Sequence, residues 1–160
     1  MFQINRNTKL GELPFPFKDL ILEQAFCLPL TLSPLNLDDS LEDFAQSYEL
    51  KWNHVESRLK KLSQAAVDLE QAVIEKDNAV ILDCRAAASR KTNPIPNSRD
   101  ISPQLMSELM PHKETLNMLT LAETEKESYS AALYLKELGF DRVSIYTVSY
   151  THLRAHETRH

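Results

Sequence analysis

Cys84 stands between Asp83 and Arg85, at the end of the apolar run Ala79-Val80-Ile81-Leu82. A cysteine is a nucleophile only as its thiolate, and at a strand end its plainer role is that of a small core hydrophobe. The run Ala122-Glu123-Thr124-Glu125-Lys126-Glu127-Ser128 gathers three glutamates and one lysine, a formal charge of −2. Two roles stay open for it. Either Glu123, Glu125 and Glu127 are first-turn acids favoured by a helix dipole, or they form an acidic rim that binds a basic peptide or a metal. Further on, His152, His156 and His160 follow one another at i, i+4 and i+8. On a helix that spacing puts three imidazoles along one face, as a metal-ligand array requires.

The histidine array is set aside. Val148 to Thr158 is similar, letter for letter, to the conceptual translation of a transposase-type sequencing-library adapter, so residues 148–160 are read as an artefactual tail and excluded from fold reasoning. His54 and His112 are read as surface residues. The only other cysteine, Cys27, lies in a mostly apolar segment far from Cys84. Two distant cysteines without a Cys-x-x-Cys pair argue against a structural zinc site, give no disulfide framework and suit a reducing compartment. There is no phosphate-type glycine loop and no defensible Ser/His/Asp order. No metal and no cofactor are expected. With a net charge of −5 and no basic stripe, the chain is a poor nucleic-acid binder. Its start lacks a secretory pattern and no segment reaches the length of a membrane span, so cytoplasmic is the default and no membrane contact is expected.

The elements that must position these residues follow from the apolar pattern. Val80–Leu82, Leu116–Leu121 and Val143–Tyr146 are short apolar runs without polar alternation, which suits strands covered on both faces. An amphipathic helix precedes the last of them, and together they spell an α/β unit. Gly139, one of only two glycines, falls just past that helix, where a residue at ease with positive φ is needed. Upstream, Leu41, Ala45, Tyr48, Trp52, Val55, Leu59, Leu62, Ala66, Leu69 and Val73 repeat at alternating spacings of four and three. That is a coiled-coil period, with Asp38, Asp39 and Ser40 as cap candidates. It serves either a homodimer through Leu41–Val73 or packing on the same chain. Before it, Pro14, Pro16, Pro29 and Pro34 interrupt the pattern too often for a long helix. The first 37 residues are therefore read as an extended arm packed on a partner or on the rest of a longer protein.

Taken in order, these pieces resemble a rhodanese-like domain. Asp83-Cys84-Arg85 after its apolar run is similar to the family's Asp-x-Arg signature. Ile95-Pro96, twelve residues after Asp83, stands where the family has its Ile-Pro, although Asn93 and Pro94 replace the usual Gly-His. Ser128 is similar to the family's loop-to-helix serine, and Gly139-Phe140, eleven residues after it, to the Gly-Phe turn. The resemblance implies a reactive cysteine at the position that here holds Ala122. Alanine cannot form a persulfide, and the acidic loop after it repels the thiosulfate or phosphate that the family gathers there. The family also continues past its last strand into a further turn and helix, whereas this chain leaves the pattern at Thr147, so a truncated domain is expected.

The expectation is thus a rhodanese-like parallel sheet flanked by helices, preceded by a long helical or coiled-coil segment. The divisions are an arm over 1–37, a helical segment over 38–76, a rhodanese-like domain over 77–147 and the tail 148–160. Asp83, Arg85, Ile95, Pro96 and Gly139 form the structural signature. Glu123, Thr124, Glu125, Lys126, Glu127 and Ser128 form the contact surface of a catalytically inactive, protein-binding or regulatory module. Two alternatives stand beside it: an accessory part of a sulfurtransferase whose reactive cysteine lies elsewhere, and a coiled-coil scaffold.

Overall fold

The computed structural model describes residues 3–28 and 35–146. The chain forms two compact units, Met1–Val67 and Asp68–His160, divided within one helix. The sequence boundary at residue 77 sits later because the last turn of that helix carries Leu69, which belongs to the core of the second unit.

In the first unit the proline-rich opening is folded on its own chain. A short 3-10 turn, Leu10–Glu12, is followed by α1, Lys18–Phe26. Leu10, Leu13, Phe15 and Leu22 are buried, so the segment read from its prolines as an extended arm contributes to the interior of the first unit. Residues 6–11 and 37–42 lie side by side. The Leu41 N–H donates to Thr8 O at 2.7 Å, Leu10 N–H to Asp39 O and Gly11 N–H to Leu37 O, both at 2.9 Å. The Phe26 ring meets the rings of Phe44 and His54 edge-on, at 5.7 and 5.5 Å.

The heptad seam is carried by two helices, α2, Leu41–Ser47, and α3, Trp52–Gln71. Ser40 caps α2 through a capping box with Asp43, as the sequence allowed. The helical run is interrupted at Glu49, whose φ of 55° is left-handed and incompatible with a continuing α-helix. Leu41, Val55, Leu59 and Leu62 are at most 2% exposed, so their apolar surface is already buried in the folded chain. Val73, the last seam position, lies beyond the helix and is 94% exposed.

The second unit is α/β. Its strands are β1, Val80–Asp83, β2, Ser98–Asp100, β3, Asn117–Leu121, and β4, Arg142–Ile145. They form one four-stranded sheet in the order β2-β1-β3-β4, and every pairing is parallel. Helices α4, Ala87–Thr92, α5, Pro103–Leu109, and α6, Glu125–Leu138, connect them. Side chains alternate across a sheet, and each apolar run is divided between two cores accordingly. Leu82, Met118 and Val143 pack with Leu69, Leu105, Leu109, Ala132, Leu135 and Phe140. Ile81, Leu119, Leu121 and Tyr146 pack on the other face beneath Ile74, Ala79 and Ile95. That two-sided burial is why the runs lack polar alternation.

Gly139 closes α6 at φ 106°. Its N–H donates to Lys136 O and that of Phe140 to Leu135 O, at 3.1 and 3.2 Å, the paired bonds of a Schellman motif. Leu135 and Phe140 meet in the same core, the apolar contact that accompanies such an ending.

Candidate functional site

The order β2-β1-β3-β4 reverses direction between β1 and β3, and in open parallel sheets ligands gather outside the carboxyl ends of the strands at that switch point. The end of β1 with the loop after it, and the loop leaving β3, carry the residues singled out from sequence, Asp83 to Arg85 and Ala122 to Ser128. Two contacts tie them together. The Cys84 N–H donates to Leu121 O at 2.7 Å, and Glu123 Oε1 accepts the Ala86 N–H at 3.0 Å.

Asp83 and Arg85 form a buried pair with side chains 2% and 1% exposed. Arg85 Nε and Nη2 donate to the two carboxylate oxygens at 3.0 and 2.8 Å, and Asp83 Oδ1 also accepts the Arg85 N–H at 3.0 Å. Arg85 Nη2 reaches on to Asn93 O at 2.8 Å, which fixes the end of α4. The signature thus shapes the loop after β1, since a two-pronged guanidinium–carboxylate bond is directional as well as strong. Ile95 packs on the second core while Pro96 is exposed.

Cys84 lies beside this pair, partly buried against the first core. Burial, and secondarily the Asp83 charge, pushes its thiol above the ordinary value of 9.0, with Arg90 pulling weakly the other way. The thiol is held in its un-nucleophilic form. Cys27 is exposed at the end of α1.

Ala122 is 2% exposed. Its N–H donates to Ser128 Oγ at 2.8 Å, and Ser128 is itself fully buried. The Thr120 hydroxyl donates to Ser128 O, also at 2.8 Å. Thr124 caps α6 by accepting the Glu127 N–H at 3.1 Å. Two N–H groups of the loop are therefore spent on the loop's own hydroxyls. Glu123, Glu125, Lys126 and Glu127 are exposed and Thr124 partly so. Glu125 and Glu127 are first-turn acids, as one of the two sequence roles had it. Glu123 lies outside the helix and bridges the two loops.

Sequence reasoning did not single out Thr120 or Ala86, and it met Asn93 only as a departure from the family's Gly-His. A threonine within an apolar strand was the available signal for the first. Ala86 and Asn93 act through backbone atoms, which no side-chain pattern announces. Among the described residues no group of three His, Cys, Asp or Glu side chains is placed to hold a metal ion, and no helix is long and apolar enough to cross a membrane. His112 and His54 are exposed. His152, His156 and His160, with the adapter-like segment around them, lie outside the described residues. No family model matches this chain, and neither does any curated protein.

Proposed function

We propose that the second unit is a catalytically inactive rhodanese-like module that binds a protein partner through the rim Ala122 to Ser128. The observation that carries this reading is the filling of the switch point: a buried methyl, Ala122, closed over by Ser128, where a nucleophile would have to stand. What the rim offers instead is the exposed carboxylates Glu123, Glu125 and Glu127, which suit a Lys- or Arg-bearing segment and repel an anionic sulfur donor. The parallel sheet, the Asp83–Arg85 pair, Ser128 at the loop-to-helix junction and Gly139 at the turn all agree with the family resemblance.

The accessory sulfurtransferase reading is weakened by the state of Cys84, a thiol that burial keeps protonated. The scaffold reading is weakened by the seam, most of whose residues are buried in the folded chain. Binding of a Lys/Arg-rich peptide, followed by fluorescence anisotropy, tests the proposal. The full chain binds at low salt and loses affinity as salt rises, and replacing Glu123, Glu125 and Glu127 by Gln removes the binding. Equal affinity in the triple variant defeats the proposal.

A further inference from the structure

The opposite end of the sheet holds a cavity of about 800 Å³, within the second unit. Asn78, Asn117 and Arg142 line it at the amino ends of β1, β3 and β4, and α6 contributes Lys136. It is an open, mainly polar groove, several of whose lining residues, among them Glu75, Asp141 and Arg142, are exposed. It is unrelated to the rim proposed above.

Lys136 is the informative residue. Its side chain is 10% exposed, and among the described residues its ammonium has one hydrogen-bond partner, the Asp141 carbonyl at 2.9 Å. Asp68 Oδ2 lies at 3.8 Å, beyond hydrogen-bonding distance. An ammonium carries three donors, so Lys136 has donor capacity left for an acceptor that enters here. Beside it the Asn117 amide is already fixed on Asn78 O at 3.1 Å, so that wall is set before any ligand enters.

The lining carries both signs, with Lys136 and Arg142 against Asp68, Glu75 and Asp141. Among the described lining residues both signs are present in nearly equal number, which disfavours a polyanion such as a nucleoside polyphosphate and favours a ligand with one group of each charge. We propose that this cavity binds a small zwitterion of the amino-acid class, its carboxylate received by Lys136 and Arg142 and its ammonium by Glu75 and Asp141.

Amide-resolved NMR of the full chain tests this with free amino acids added one at a time at millimolar concentration, and with N-acetylglycine and inorganic phosphate as purely anionic counterparts. At least one free amino acid is expected to shift the amides of Asn78, Asn117, Asp141 and Arg142. The two anions should bind at least about tenfold more weakly. Lys136→Gln should abolish the shifts, and Arg142→Gln, at an exposed position that leaves folding intact, should weaken them. The proposal is overturned if no free amino acid shifts these amides, if either anion binds as well, or if binding survives both substitutions.

Discussion

Asp83→Asn isolates the energetics on which the switch-point geometry depends. The substitution keeps the size of the side chain but leaves the Arg85 guanidinium, 1% exposed, without its carboxylate. Removing one partner of a buried ion pair costs about 3–5 kcal/mol, because the remaining charge stays desolvated. For a unit of this size that is a fall in Tm of roughly 12 °C or more, at about 4–8 °C per kcal/mol. The Asn93 carbonyl does not rescue Arg85, since it already accepts from Nη2 at 2.8 Å in the intact protein. Far-UV circular dichroism and amide hydrogen exchange of β1 read the loss. The single tryptophan, Trp52, lies in the first unit, so its fluorescence reports on that unit. Replacing the pair together, Asp83→Leu with Arg85→Met, is expected to cost less than Asp83→Asn alone, because no unpaired charge remains. A loss below about 1 kcal/mol for Asp83→Asn, the range of an exposed pair, refutes the claim that this pair holds the loop.

Gly139→Ala forces a Cβ onto a residue at φ 106°, with Lys113 Nζ only 3.2 Å from it, and should destabilise the second unit by about 1 kcal/mol or more in urea denaturation. Ser128→Ala strips the Ala122 N–H of its buried acceptor and should cost about 1–3 kcal/mol by the same assay. In a Cys27→Ser background, iodoacetamide should alkylate Cys84 far more slowly than a free thiol at neutral pH. Because the folded-state value of this thiol is raised, its contribution to stability is present below pH 9.0 and is lost as pH climbs through the raised value. Tyr129, pushed up to about 12 by burial and then by Glu70, should give a late phenolate step in an ultraviolet titration, and Tyr129→Phe should remove that step.

Much of the second unit was legible in sequence because several of its elements have a local cause. Short apolar runs marked β1, β3 and β4, and Gly139 marked the end of α6. The strand β2, only Ser98 to Asp100 and mostly exposed, carries no apolar run and could not be read in that way. The period of Leu41 to Val73 is carried for most of its length by two helices, Leu41–Ser47 and Trp52–Gln71, but a period does not reveal the left-handed residue, Glu49, that splits it. The prolines of the opening segment suggested an extended arm, yet α1 fits between them, starting at Lys18 just after Pro16. At the site, the side chains of the signature were visible as a pattern. The Glu123 bridge to the Ala86 N–H spans 37 positions and depends on strand order, which only the fold supplies.

Thiocyanate production from thiosulfate and cyanide tests the inactive-shell reading most directly, measured on the full chain beside its Cys84→Ser variant. The account predicts no turnover above the uncatalysed background in either protein, since Ala122 cannot carry sulfur and Cys84 is held protonated. Turnover by the unmodified chain that disappears in Cys84→Ser would contradict it and make Cys84 the sulfur carrier.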